Sequence, residues 1–241
     1  MIRRRKRRIV LLQIRAHTAA EHQEQRCFLR RCRLKTEELR SISLIRHPHI
    51  THDAVRGADA VFIGGAGEYS ALDHHPFTDP LSELTLRLID EEVPLLGSCW
   101  GHQFLGKLLG GELVMDNERM EVGTYQVEVT EAGRRDPLFA DLAPEFAAQL
   151  GHHDQLSRLP RGFEVLARSP LCPFQAIRIP GKPVYGTQFH TEMDHVDMLE
   201  RLDMYRDLYA ARPEEYQAVV DRLRPSPAAD QILWRFLELF C

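Results

Sequence analysis

Ile9-Val10-Leu11-Leu12 opens the first apolar run of the chain, which continues through Gln13 to Ile14 before Arg15 interrupts it. A run of that length reads as a buried strand. Residues 18–33 follow as a polar, helix-compatible stretch, and 41–45 form a short apolar run, a candidate second strand. Ala58-Asp59-Ala60-Val61-Phe62-Ile63 is a stronger strand, stopped by Gly64-Gly65. Within 80–91, Leu81, Leu84, Leu88 and Ile89 recur at helical spacing behind Pro80. Val93 to Gly97 reads as another strand, and Trp100 to Leu109 as a helix that stops at Gly110-Gly111. Strand and helix thus alternate over 9–111. That alternation predicts an α/β fold with an open, mostly parallel, flavodoxin-like sheet and helices on both faces. Its crossovers should be right-handed.

Beyond residue 111 the period changes. Val122–Thr130 alternates, as do 163–168, 174–179 and 183–189, with Pro180-Gly181-Lys182-Pro183 as a turn between the last two. These segments predict an antiparallel extension that rejoins the main sheet near residue 185. From Asp194 onward the chain reads as helix, broken into about three pieces by Pro213 and Pro225-Ser226-Pro227. The expected organisation is a main domain over 1–193 and a C-terminal helical extension over 194–241 packed on the same domain. Leu199, Leu202, Tyr205 and Leu208, and then Trp234, Leu237 and Phe240, supply apolar faces that would cover the sheet or, less simply, meet a partner.

Composition adds limits. The chain has 241 residues, 44% of them apolar and 27% charged, with a net charge of −4. Nothing global points to nucleic acid, and no stretch is apolar enough to span a membrane. Arg3 to Arg8 form a basic run, read here as a solvated tail; the six-residue apolar stretch after it is too short for a secretory signal. Cys27, Cys32, Cys99, Cys172 and Cys241 are odd in number and contain no Cys-x-x-Cys pair. Free thiols and a cytoplasmic setting are expected.

One cysteine stands in a chemical context. Leu95-Leu96-Gly97-Ser98-Cys99-Trp100-Gly101-His102-Gln103 takes an apolar strand through Gly-x-Cys-x-Gly into a helix. A sharp turn of this kind lifts a nucleophile above the sheet. The helix N-terminus behind it favours thiolate, and the Trp100 N–H would face a developing oxyanion. A structural cysteine in a glycine-rich turn is the competing interpretation, but the carboxyl end of a parallel strand is where open α/β sheets place their sites. A nucleophilic thiol needs a base and an orienter. Val184-Tyr185-Gly186-Thr187-Gln188-Phe189-His190-Thr191-Glu192 delivers both at another strand end: His190 as acid/base and Glu192 as the carboxylate that fixes its tautomer.

Together, Gly97-x-Cys99-x-Gly101-His102-Gln103 and Gln188-Phe189-His190-x-Glu192 resemble the class I, triad-type glutamine amidotransferases. The nearest pattern is the stand-alone branch similar to the amidotransferase domain of GMP synthase. Gly64-Gly65-Ala66-Gly67-Glu68 resembles the family's oxyanion loop, and the resemblance covers about 9–193. It implies Cys99 as nucleophile, His190 as acid/base, Glu192 as orienter and the N–H groups of Gly65 and Trp100 as oxyanion hole. It also implies Gly67, Gln103, Gly151 and His153 around the substrate, a γ-glutamyl thioester intermediate and release of ammonia. No cofactor and no metal are implied.

Three departures matter. Thr191 stands where the family usually has proline between His and Glu. Trp100 replaces a smaller residue. Gln149-Leu150-Gly151-His152-His153-Asp154 resembles the family's Ser/Asn-His-Gly-Asp stretch, but Gly151 and His153 replace its usual residues. His102 belongs to the motif and is read as structural. The pairs His47/His49, His74-His75 and His152-His153 lack the cysteine or carboxylate spacing of a zinc site.

Three functions fit. The first is a glutaminase or glutamine amidotransferase that passes ammonia to an acceptor. With no phosphate-binding Gly-x-x-x-x-Gly-Lys-[Ser/Thr] segment in the chain, the acceptor chemistry would need a synthetase partner chain or a small amine. The second is a γ-glutamyl hydrolase or transferase acting on a γ-glutamyl amine. The third is a catalytically silent regulatory module of the same fold. The substrate in the first two is glutamine or a γ-glutamyl small molecule.

Overall fold

A computed structural model describes residues 5–209 and 212–241. Strand β1 (Ile9–Ile14) leads into helix α1 (Thr18–Arg31), then β2 (Leu39–Ser43), β3 (Ala60–Ala66), α2 (Thr78–Asp90), β4 (Leu95–Ser98) and α3 (Trp100–Leu108). The second half adds β5 (Glu112–Met115), β6 (Glu121–Val129), the short α4 (Glu131–Arg135), β7 (Glu145–His152) and β8 (Asp154–Arg158). Then come β9 (Glu164–Arg168), β10 (Ala176–Ile179) and β11 (Val184–Thr187). The chain closes with α5 (His195–Met204), α6 (Arg206–Tyr209), α7 (Pro213–Val220) and α8 (Ile232–Phe240).

Among the described residues, nine strands make one sheet in the order β2-β1-β3-β4-β11-β10-β9-β6-β7. The first five are parallel, and β11 to β7 run antiparallel to one another. The expected return near residue 185 is therefore present: β11 lies parallel to β4, with Gly186 opposite Gly97 and Thr187 opposite Ser98. Strands β5 and β8 form a separate ribbon. Sequence periodicity did not reveal β5, β7 or β8. In β7 the inward positions are Phe146, Ala148 and Leu150, and small or polar neighbours blur the alternation.

Two cores follow from the two-residue strand period. Ile9, Leu11 and Phe62 pack with Phe28 of α1 and with Ile232, Leu233, Phe236 and Leu237 of α8. Val10, Leu12, Val61 and Ile63 pack on the other face with Leu81, Leu84 and Leu88 of α2 and Trp100 of α3. The last helix thus covers one sheet face, and Phe236 sits between Phe62 and Tyr185 with ring centroids 5.8 Å from each.

Arg3 and Arg4 of the basic run lie outside the described residues. In the rest of the run Arg5, Lys6 and Arg8 are exposed, as expected of a solvated segment, while Arg7 is partly covered. The Arg7 guanidinium donates to the Leu237 carbonyl at 3.0 Å and to Glu238 at 2.8 Å, at the carboxyl end of α8 where a cation is favoured. Arg5 pairs with Asp59 at 3.0 Å. Among the described residues no helix is long and apolar enough to cross a membrane.

Candidate functional site

Cys99 sits between β4 and α3 with φ +50° and ψ −100°, one of the few non-glycine residues with positive φ. That backbone costs energy and persists because its surroundings over-determine it. The Cys99 N–H donates to the Thr187 carbonyl of β11 at 2.8 Å, and its own carbonyl accepts from Gln103 N–H at 3.1 Å. The flanking glycines explain the tightness of the turn. A Cβ on Gly97 would stand 2.4 Å from the Gly101 carbonyl carbon, and one on Gly101 2.3 Å from the Ile63 carbonyl oxygen.

The pairing of β11 with β4 carries the His190 segment beside this elbow. The His190 N–H donates to the Gln149 carbonyl at 2.9 Å, tying the segment to β7 as well. His190 Nδ1 and Glu192 Oε1 are 2.7 Å apart, both groups buried. The other Glu192 oxygen accepts from the Ser98 hydroxyl at 2.8 Å. Burial by itself would pull the His190 imidazole down. The Glu192 carboxylate and the Cys99 sulfur outweigh it and raise the group to about 9. Burial likewise pushes Glu192 up, but His190 on one side and Arg201 further off bring it to about 2. The result is a buried imidazolium–carboxylate pair next to the Cys99 sulfur.

Gly65 lies against both reacting side chains: a Cβ there would be 3.3 Å from His190 Cε1 and 3.6 Å from Cys99 Cβ. It would also meet an Arg15 nitrogen at 2.9 Å, so a buried guanidinium backs this loop. Trp100 begins α3 with its ring stacked on Phe104 at 5.2 Å and edge-on to Phe77. Gly67 must be glycine because the Tyr205 ring crosses it; a Cβ would approach Cζ to 2.3 Å.

Cys99, Trp100, Gly67, Gln103, Gly151 and His153 all line one cleft of about 180 Å³, joined by Glu68, Tyr69, Ser70, Asp73 and Asp154. The described lining contains acidic groups and no lysine or arginine. The Gln103 amide donates to the Asp154 carbonyl at 2.7 Å and to Gln188 Oε1 at 3.2 Å, so its N–H groups hold the cleft wall together. Gln188 in turn points its amide nitrogen at Cys99 Sγ, 3.7 Å away. The Gly151 carbonyl lies 3.9 Å from the same sulfur. His153 is half-buried and bonds Asp154 at 2.8 Å, which raises the imidazole above its usual range.

The stretch 151–154 is the end of β7 and the start of β8 rather than a free loop. His152 points inward, bonded to Glu121 at 3.1 Å, and Glu121 also accepts from Ser169 and Gln175. Glu121, His152 and Cys172 bring potential ligand atoms within 4.8 Å of one another. His152 and Glu121 are hydrogen-bonded to each other, and Cys172 is held beside them through its backbone bonds with Ser169. His102 lies beneath the elbow against Gly186, and burial pulls it to about 3, so it is a neutral packing group.

Sequence reasoning missed Ser98, Gln188 and Arg15. Ser98 and Gln188 stand inside the two motifs but carry no distinctive type. Arg15 left a signal: a charge that breaks a buried strand needs a partner, and it has one in Glu24 at 2.8 Å.

An open α/β sheet carrying this cleft at the carboxyl ends of its parallel strands defines a glutamine amidotransferase-type fold. Solved structures share it: a glutamine amidotransferase from Thermotoga maritima superposes with TM-score 0.79 at 19% identity, covering 98% of each chain. Another from Methylobacillus flagellatus gives 0.73 at 18% identity, covering 98% of this chain and 96% of that one. The family model for class-I glutamine amidotransferases matches residues 29–202, and the chain belongs to that family. Among curated relatives, the glutamine-hydrolyzing GMP synthase subunit of Archaeoglobus fulgidus is 30% identical over 155 residues, 64% of this chain and 76% of that one. Its counterpart from Methanocaldococcus jannaschii is 35% identical over 109 residues, 45% of this chain and 56% of that one. The chain thus spans little more than half the length of some of these relatives.

Proposed function

We propose that this chain hydrolyses the side-chain amide of glutamine. The observation that carries the reading is the buried relay Ser98–Glu192–His190 set against Cys99 on its strained elbow. In this mechanism Cys99 Sγ attacks the amide carbon. The N–H groups of Gly65 and Trp100 receive the oxyanion. His190 gives its proton to the departing nitrogen, the C–N bond breaks, and ammonia leaves behind a γ-glutamyl thioester. A water then gives a proton to His190 and attacks the thioester carbon. The C–S bond breaks, glutamate leaves, and Cys99 is restored as thiolate. Glu192 holds the imidazole in one tautomer and stabilises its charged form. Gly67, Gln103, Gly151 and His153 shape the substrate's surroundings, and Glu68, Asp73 and Asp154 suit its α-ammonium. The relatives' role as glutamine-hydrolyzing subunits supports a synthetase partner chain that consumes the ammonia, in a cytoplasmic setting.

A second reading, a γ-glutamyl hydrolase acting on a γ-glutamyl amine, draws on the same acidic lining, which also suits a distal amine. Ammonia release from glutamine, measured beside release of amine from γ-glutamyl amines, separates the two. Cys99→Ala should reduce either activity to background. A glutamine-analogue electrophile should add to Cys99, with the adduct located by mass. Undiminished ammonia release from Cys99→Ala sinks the mechanism; an intact protein that takes up no electrophile and releases no ammonia is a silent module.

A further inference from the structure

Behind the cleft, across Ala66 and Gly151, lies a second and much smaller cavity of about 20 Å³. Arg15, Arg201, His190, Tyr205, Met198 and Leu202 face it. Its two arginines are unlike. Arg15 is fully buried and neutralised: Nε and Nη2 both donate to Glu24, at 3.1 and 2.8 Å. Arg201, only 5% exposed, is anchored by a neutral group instead, its Nε donating to the Gln23 amide oxygen at 2.5 Å. Among the described residues, Arg201 Nη1 and Nη2 are both buried with no hydrogen-bond partner. A guanidinium cannot shed its charge, so buried unmet N–H groups on it demand an acceptor.

We infer that this cavity binds one small, acceptor-only anion of halide size between Arg201 and Arg15. Size limits the occupant: a water-sized sphere needs about 10–15 Å³, so tetrahedral oxyanions such as sulfate and phosphate are too large. Chemistry selects within that limit. Among the described residues no carboxylate side chain faces the cavity. A water there would accept from the guanidinium groups and give one hydrogen to the unpartnered Tyr205 hydroxyl, but would have to turn the other toward walls that include Met198 and Leu202. An anion accepts from every direction and offsets the second cation. It would also set a negative charge beside His190, which is already faced by Glu192 from its own segment, Cys99 from the elbow, Arg15 just after β1 and Arg201 from α5. The site is independent of the proposed hydrolysis, because its test reads binding rather than turnover.

The test is a crystal of the full chain grown in sodium bromide, examined by anomalous scattering. It is joined by thermal unfolding in chloride, gluconate and sulfate at matched ionic strength. The expected result is a bromide peak between Arg201 and Arg15. The melting temperature should be higher by roughly 2 °C or more in chloride than in gluconate, with no matching gain in sulfate. Arg201→Gln should lose the chloride gain. If that variant does not fold, Arg201→Lys takes its place, and the bromide peak in the unaltered chain decides independently. Peaks at surface arginines alone (an adventitious ion only), a water in the cavity, or a chloride gain that survives in Arg201→Gln would each overturn the site.

Discussion

The Glu192 carboxylate carries two hydrogen bonds, one from Ser98 and one from His190, and its charge is what keeps a fully buried imidazole protonated. The proposed chemistry needs thiolate and imidazolium together, so its rate should fall as pH rises through about 9. Glu192→Gln keeps the shape and removes the charge. Burial is then opposed at His190 chiefly by the Cys99 sulfur, and the alkaline limb of kcat/KM for ammonia release should move to lower pH. The rate at its optimum should drop by roughly 10²- to 10⁴-fold, the range for a lost orienting carboxylate. A profile recorded from about pH 5 to pH 10 reads both effects. An unmoved limb would separate Glu192 from the titration of His190.

At the scale of elements, the decisive join is α3 against β3 and β4. Gly101 brings the first turn of α3 onto the Ile63 carbonyl, and an added Cβ would overlap it at 2.3 Å. Gly101→Ala therefore has to lift the helix off the sheet. The expected cost is roughly 1–3 kcal/mol, read as a lower urea midpoint with unchanged slope, together with loss of any activity that depends on the Cys99 elbow. This join was legible in the sequence because glycine spacing around a cysteine, at the end of an apolar run, has a steric meaning. The β1-to-α3 alternation was legible for the same kind of reason, since Ile9/Leu11 and Val10/Leu12 serve opposite faces. The stretch 151–154 was not: its backbone belongs to two strands, but its side chains are glycine, two histidines and an aspartate. Their roles depend on Glu121, Gln103 and Ser70, which lie far away in sequence. Arg201 was hidden likewise, because a charge on an amphipathic helix looks solvated until Gln23 is seen across from it.

For the molecule as a whole, the His190–Glu192 pair joins parts of the chain that are otherwise distant, since His190 also bonds β7 and Glu192 also bonds the end of β4. Its ionisation should therefore be visible in global stability. His190 is raised from 6.5 to about 9, so its contribution is fully present below pH 6.5 and is lost as pH rises toward 9. Glu192 is lowered from 4.5 to about 2, so its contribution is present above pH 4.5 and is lost as pH falls toward 2. Both terms are in force together between pH 4.5 and 6.5. His190→Gln removes the charged pair while leaving Ser98 and Glu192 bonded. The difference in unfolding free energy between the unaltered chain and this variant should be greatest in that window and should shrink on either side. Urea unfolding at closely spaced pH values measures it. A difference that instead rises from pH 5 and levels off above pH 6.5 would mean that the buried imidazole is neutral in the folded chain. In that case the proposed mechanism would need His190 to begin as a base that takes the Cys99 proton, rather than as half of a standing ion pair.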